Sequence, residues 1–148
     1  MFLYSLLALA VVTALIFAAP LKAKVWATLA VVAAGALWAS ATAVGVLAGG
    51  HTVRLWATDV FLFGSDAGSM DPLSALFALI VSVGAVAAVL YSRGYLAHYL
   101  GRKSPAHISL HYTALATMFY AMLGVVTSEG GFSFLFFWEL MTVASFLL

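Results

Sequence analysis

The sequence contains no cysteine and very little charge. Its 148 residues include six Lys or Arg and five Asp or Glu, so only 7% of the chain is charged, whereas a soluble domain carries about 25%. Without cysteine, the chain itself supplies no disulfide, iron–sulfur cluster or thiolate zinc site. The net charge of +1 is not gathered into a basic stripe, so we expect no nucleic-acid partner.

Most of the chain consists of apolar residues. They make up 66% of the chain, more than a soluble core of this size can bury. They form five segments, and a helix needs about 20 such residues to cross a bilayer. The sequence therefore predicts an all-α, polytopic integral membrane helix bundle. The five segments are Phe2–Ala19, Val25–Gly49, Leu73–Tyr91, Ser109–Thr127 and a last one beginning near Phe132.

The two ends of the chain need separate interpretation. Phe2–Ala19 lacks the basic start of a signal peptide, so we interpret it as a retained membrane helix. The closing run Ser133–Leu148 has sixteen residues, which reach about 24 Å against a hydrocarbon core of about 30 Å. We therefore expect a chain truncated from a larger inverted-repeat transporter fold. Residues 1–69 would form two helices and an external loop, and residues 70–148 the start of the transport domain.

The basic residues predict the orientation. Lys22 and Lys24 follow the first segment, and a second basic group follows the third segment. Because basic loops stay in the cytoplasm, we expect the N-terminus outside and the first and third loops inside, in a bacterial or archaeal cytoplasmic membrane. The second basic group consists of Arg93, Arg102 and Lys103.

The second loop, residues 50–70, has its own predicted structure. Thr52–Phe63 is rich in β-branched and aromatic residues, which favours a short strand or hairpin, and Gly64–Asp66 is typical of a turn. Asp71 followed by Pro72 is typical of an N-cap and a first helical position.

Glu139 is the only charge in the closing apolar run. A carboxylate at membrane depth costs from about 2.5 to more than about 10 kcal/mol, and such a group is by default functional. Thr142 lies one turn further on the same face, with Ser145 beside it. A carboxylate next to hydroxyls is typical of a proton relay. The alternative is a structural ion pair with a Lys or Arg from outside these five segments.

Two other sets of polar residues lie on the fourth segment. Thr113, Thr117, Tyr120, Gly124 and Thr127 share one helical face, which predicts either a proton-relay stripe or helix packing. His107 and His111 are four residues apart near the predicted cytoplasmic end. We interpret them as a point where protons enter rather than as a metal or haem site. In the second segment, the small residues Ala41, Gly45 and Gly49 predict a close-packing face.

Three motifs occur in a recognisable order. They are MDPLSALF at Met70–Phe77, LYSRGYLAHY at Leu90–Tyr99, and a long run at Met118–Leu148 that contains FFWELM. In these motifs the chain resembles the N-terminal part of the antiporter-like proton-translocating membrane subunits. This superfamily includes the large membrane subunits of respiratory complex I, hydrogenase-4 component B-type subunits and the large Mrp sodium/proton antiporter subunits. Residues 1–69 are similar in hydropathy only.

The resemblance implies a role for Glu139. In the superfamily, the corresponding glutamate pairs with a buried lysine two helices later, and separation of that pair moves protons along further buried lysines. None of those lysines is in this sequence. The connector GRKSPAHISLHY, residues 101–112, is more similar to the hydrogenase-4 branch than to complex I.

The sequence favours one function, which is named first here, and leaves two alternatives. The first is a proton-translocating subunit of a redox-driven complex such as an NADH:quinone oxidoreductase or an energy-converting hydrogenase, with other membrane subunits as partners and no cofactor on this chain. The second is an Mrp-type sodium/proton antiporter subunit. The third is a membrane scaffold that transports nothing, for which neutralising Glu139 would affect only stability.

Overall fold

The computed structural model describes residues 11, 14, 16–60, 64–97 and 104–148. Most of the first predicted segment lies outside these residues, and residues 16–18 of it are helical. Four further helices and one antiparallel pair of strands follow. In chain order they are α1 (Leu21–Gly49), β1 (Val53–Val60), β2 (Gly64–Met70), α2 (Pro72–Ala97), α3 (Pro105–Thr127) and α4 (Gly131–Leu147).

Three of these helices are long and apolar enough to cross a membrane. The qualifying stretches are Ala23–Gly49, Pro72–Leu96 and Pro105–Thr127, whereas α4 is apolar but has only 17 residues. The chain is therefore an all-α, polytopic membrane helix bundle, as the hydropathy predicts. The only strands among the described residues belong to the hairpin between α1 and α2.

Helix α3 lies at the centre of the bundle. It contacts α1, α2 and α4, while α1 packs most extensively against α2. Phe119 of α3 is the largest fully buried side chain among the described residues. It belongs to a core cluster with side chains from α1 and α2, among them Val32, Ala36 and Val89. The predicted domain boundary between residues 69 and 70 stays a prediction. Helices α1 and α2, which lie on either side of it in sequence, pack together.

Helices α1, α2 and α3 each have one identifiable cap, and the sequence predicted that of α2. Asp71 Oδ1 accepts a hydrogen bond of 2.6 Å from the backbone N–H of Ser74, and Pro72 is the first residue of α2. Ser104 caps α3, with Pro105 at its first position. Helix α1 ends at Gly50, whose φ of 62° is left-handed and whose N–H donates to the carbonyl oxygen of Val46. The predicted N-cap at Asp71 is confirmed.

The predicted hairpin is confirmed, but its predicted turn is wrong. Gly64, Ser65 and Asp66 lie in strand β2, and the register pairs Val60 with Gly64 and Thr58 with Asp66. The connection between the strands is therefore residues 61–63, which lie outside the described part of the chain. Gly-Ser-Asp is typical of a turn, yet here ladder hydrogen bonds and the contacts of Asp66 hold it extended.

Two other expectations need correction. The hydropathy pattern predicts loop positions for three basic residues that instead lie within helices α1 and α2, namely Lys22, Lys24 and Arg93. The Lys24 ammonium is buried and donates to the carbonyl oxygens of Ile16 and Phe17, at 2.9 and 2.7 Å. Basic side chains can thus cap or pack within helices, so their sequence positions do not mark loop boundaries.

The predicted small-residue face of α1 is also wrong. Ala41, Gly45 and Gly49 are exposed, and an added Cβ on Gly45 would meet nothing within 4 Å. The buried face of α1 instead contains Ala36, Ala39 and Ala43, which reach 0–6% exposure. Small residues occur on every side of this helix, so the pattern alone could not select the packed side.

Candidate functional site

Glu139 lies on α4, eight residues after the helix begins at Gly131. At a rise of 1.5 Å per residue, it is about 12 Å from that end of the helix. The same end of the bundle carries the hairpin, because Gly68 of β2 forms a bridge with Ser128 just before α4. The carboxylate is therefore well inside the apolar length of α4 and below the hairpin.

The side of α4 that carries Glu139 faces away from the bundle. Ser133 and Ala144 are the buried residues of this helix, and Phe137 packs against Gly124 of α3. Around Glu139, by contrast, Leu135 is 61% exposed and Phe146 is 88% exposed. Glu139 is thus a single charge in an apolar face that no other described element covers.

The local partners of Glu139 are few. Thr142 is exposed on the same face, but its hydroxyl donates to the carbonyl oxygen of Trp138 at 3.0 Å. The Glu139 carboxylate makes no hydrogen bond or ion pair with the described residues. Among the basic side chains, Lys24 is bound to backbone carbonyls, and Arg93 stacks over Trp26 at 5.5 Å. A partner for Glu139 would therefore come from outside the described part of the chain.

The polar stripe of α3 makes helix-packing contacts. The Tyr120 hydroxyl donates to the carbonyl oxygen of Val31 in α1 at 2.8 Å, and Thr127 donates to Leu123 within α3 at 2.8 Å. Thr117 is half-buried. The Thr113 hydroxyl is buried without a hydrogen-bond partner among the described residues. The relay interpretation of this stripe stays a prediction.

The two histidines of α3 have different surroundings. His107 is exposed, and its backbone N–H points at the capping Ser104 hydroxyl. The His111 ring is half-buried between Tyr95 and Tyr112, with centroid distances of 6.4 and 5.8 Å. No group of three or more His, Asp or Glu side chains in the described ranges could hold a metal ion. The predicted role of His107 and His111 as a point of proton entry stays a prediction.

Sequence reasoning missed Asp66. This side chain is 6% exposed, and its carboxylate accepts hydrogen bonds from Ser133 at the start of α4. The Ser133 N–H donates to Oδ2 at 2.9 Å, and the Ser133 hydroxyl donates to Oδ1 at 3.1 Å. The sequence signal that could have led to Asp66 was the pair Gly130 and Gly131. A helix that begins with two glycines has no capping side chain of its own, so another part of the chain has to supply the cap.

The hairpin and the α3–α4 connection also line an open pocket. Its volume is about 460 Å³, and charged side chains of both signs line it, namely Arg54, Asp66 and Glu129. The backbone N–H of Glu129 donates to the carbonyl oxygen of Ala67 at 2.9 Å. The pocket therefore lies where β2 meets the beginning of the Glu139 helix, at the polar end of the bundle.

The chain is similar to proteins described as putative antiporter subunits. Over 79 residues it is 35% identical to the putative antiporter subunit mnhA2 of Staphylococcus saprophyticus, and to the same degree to that of Staphylococcus aureus. Each match covers 53% of this chain and 9% of the relative. No protein-family model matches the chain. The similarity supports the resemblance to antiporter-like membrane subunits, while the resemblance to complex I and hydrogenase subunits stays a prediction.

Proposed function

We propose that this chain is part of an ion-translocating subunit of a membrane antiporter assembly, with Glu139 as the group that takes up and releases the transported ion. The observation that carries the proposal is the position of Glu139. It is a lone carboxylate on an uncovered apolar face of a helix that begins at two glycines beside the hairpin. The similarity to putative antiporter subunits supports the same function.

The cost of burying the charge supports a functional role. In hydrocarbon, a carboxylate without a partner costs several kcal/mol, so it faces protein or water instead of lipid. The described part of the chain supplies neither a basic partner nor a hydroxyl that donates to Glu139. We therefore propose that another segment or another membrane subunit covers this face. It would supply a positive group or a water-filled path.

The transport step follows from this arrangement. When the covering positive group is close, the carboxylate stays ionised because opposite charges within about 4–6 Å favour the charged form. When that group moves away, the carboxylate takes up a proton or a sodium ion from water. Exposed hydroxyls at Thr142 and Ser145 supply oxygen atoms that can bind either ion. No cofactor on this chain is required.

Transport by membrane vesicles containing the complete assembly tests the proposal. The matched variants are Glu139→Gln, which removes the charge, and Glu129→Gln, which makes the same change at an exposed side chain outside the apolar run. We expect Glu139→Gln to abolish the sodium-dependent collapse of a preformed pH gradient, and Glu129→Gln to leave it intact. Normal transport by assembled Glu139→Gln would support a scaffold instead.

The redox-driven complex predicts a different result in the same vesicles. There, sodium would have no effect on the pH gradient, and oxidation of an electron donor by partner subunits would build one. Observing donor-driven acidification that requires Glu139 would replace the antiporter proposal with the redox-driven one, while keeping the role of the carboxylate.

A further inference from the structure

We propose that Asp66 is a positioning residue for Glu139: its carboxylate fixes where α4 begins and how the helix is rotated. The geometric part of this inference stands on the described contacts alone. Its consequence for transport rests on the proposed function. Asp66 lies in strand β2, and the residue that it binds is 67 positions later in the chain.

The contact needs a carboxylate because three donors converge on it. Oδ1 accepts from the backbone N–H of Ala67 at 2.9 Å and from the Ser133 hydroxyl at 3.1 Å. Oδ2 accepts from the Ser133 N–H at 2.9 Å. An asparagine would place an NH2 group at one of these oxygens, so one backbone N–H would face another donor. Asparagine is therefore similar in shape but incomplete as an acceptor.

The carboxylate also takes the place of a missing cap. The residue before α4 is Gly130, which has no side chain to accept from the first N–H groups of the helix. A Cβ at Gly130 would collide with the Asp66 carboxylate. The negative charge is at the N-terminal end of α4, where the helix dipole stabilises an anion. The cap of α4 is thus supplied by the hairpin rather than by the helix itself.

Backbone contacts join the hairpin to the same point. The Glu129 N–H donates to the carbonyl oxygen of Ala67, and Gly68 forms an antiparallel bridge with Ser128. The connection between α3 and α4 therefore continues the edge of the hairpin for a short distance. Asp66 adds the side-chain contact that reaches the first turn of α4.

The rotation of α4 needs such a polar anchor because its apolar residues lie on all sides. Hydrophobic burial therefore discriminates weakly between rotations of this helix. Glu139 follows Ser133 by six residues, about 9 Å along the axis. A change of one residue in the start of the helix would turn Glu139 by about 100° and move its Cα by about 3.5 Å around the helix axis.

A distance measurement on the assembled protein tests the geometry. Because the natural chain has no cysteine, two spin labels can be attached at Leu37→Cys on α1 and Phe134→Cys on α4, both exposed. Phe134 is about 140° from Glu139 around the helix axis, so its label lies away from the face that we propose to be covered. We expect Asp66→Ala to shift or broaden the distance distribution, with a smaller effect for Asp66→Asn. The matched control is Asp71→Asn, at a carboxylate that caps α2 through Ser74. It should leave the distribution unchanged.

Ser133→Ala keeps the test decisive if Asp66→Ala does not assemble. This variant removes the hydroxyl donor and keeps the Ser133 N–H, so it should assemble and show a small shift in the same direction. An unchanged distribution in Asp66→Asn and Ser133→Ala would overturn the inference. A change of equal size in Asp71→Asn would also overturn it, because it would show a general loss of order.

Transport separates this inference from the function on which it rests. With the assembly intact, we expect Asp66→Ala to lower the transport rate about tenfold. Ser133→Ala should lower it less. If Glu139→Gln transports normally while Asp66→Ala still shifts the distance, the proposed function fails and the positioning stands. If Glu139→Gln is inactive and Asp66→Asn changes neither distance nor rate, the positioning fails alone.

Discussion

The hydroxyl of Tyr120 in α3 donates a hydrogen bond of 2.8 Å to the carbonyl oxygen of Val31 in α1. That carbonyl is in the interior of a helix, so it already accepts the hydrogen bond of the helix ladder. Its second lone pair binds the tyrosine. Gly35, one turn further along α1, has no Cβ and leaves room for the Tyr120 ring. Tyrosine and glycine together thus set the approach of α3 to α1.

Tyr120→Phe should weaken this contact without disturbing the packing of the ring. Hydrogen bonds between membrane helices contribute about 0.6 kcal/mol on average, so we expect a drop of a few degrees or less in the melting temperature in detergent. The matched control is Tyr91→Phe, at a tyrosine that is 77% exposed. If Tyr120→Phe abolishes transport at unchanged stability, the hydroxyl belongs to a relay instead.

Gly124→Ala should separate α3 from α4. An added Cβ would collide with the Phe137 ring, including the atom nearest its backbone, so the ring cannot simply swing away. Overpacking of this kind costs about 1–3 kcal/mol, and we expect a lower melting temperature. Gly84→Ala in α2 is the control, because its Cβ would meet nothing within 4 Å. Partial recovery in the double variant Gly124→Ala with Phe137→Leu would confirm that these two residues collide.

The cap at Asp71 predicts a pH-dependent stability. Hydrogen bonds from the Ser74 backbone N–H and the Ser74 side chain lower the pKa of Asp71 below its ordinary value of 3.8. Because the pKa of Asp71 is lower in the folded state than in the unfolded state, the ionised carboxylate stabilises the fold. This stabilisation is complete at pH values above the unfolded-state pKa. This stabilisation is then lost as pH falls through the native pKa. We expect the stability difference between wild type and Asp71→Asn to be constant above about pH 5 and to shrink below about pH 4.

Thermal unfolding of both proteins between pH 3 and pH 7 measures this difference. Asp71→Ala should be destabilised at neutral pH by about 1 kcal/mol, as is typical of a lost N-cap. A difference between wild type and Asp71→Asn that stays constant down to pH 3 would contradict the assignment of the carboxylate as an ionised cap.

The predicted orientation can be tested with single cysteines. His51→Cys and Ala106→Cys place a thiol at exposed positions on the hairpin end and on the opposite end of the bundle. From the distribution of basic residues, we expect a membrane-impermeant maleimide to label His51→Cys in intact cells and Ala106→Cys only after the membrane is opened. The reverse labelling pattern would invert the topology and place Asp66 on the cytoplasmic side.

Much of the helical layout could be predicted from the sequence. The ends of α2 and α3 were predicted within a few residues, except that α2 continues to Ala97 rather than ending at Tyr91. Asp71 with Pro72 predicted the exact start of α2, because a cap acts within one turn and involves only neighbours in sequence. A strand within residues 52–63 was predicted, but the turn and the range of the second strand were not, since Gly-Ser-Asp is equally compatible with an extended edge.

The sequence by itself determined that this chain crosses a membrane and that Glu139 is the only charge in its closing apolar run. Both follow from composition, because apolar length and an isolated charge need no knowledge of neighbours. The tertiary structure decided which side of each helix is packed. It also decided that Glu139 faces outward and that Asp66 caps α4. Such choices depend on residues far apart in sequence, and in helices that are apolar on every side no local pattern reveals them.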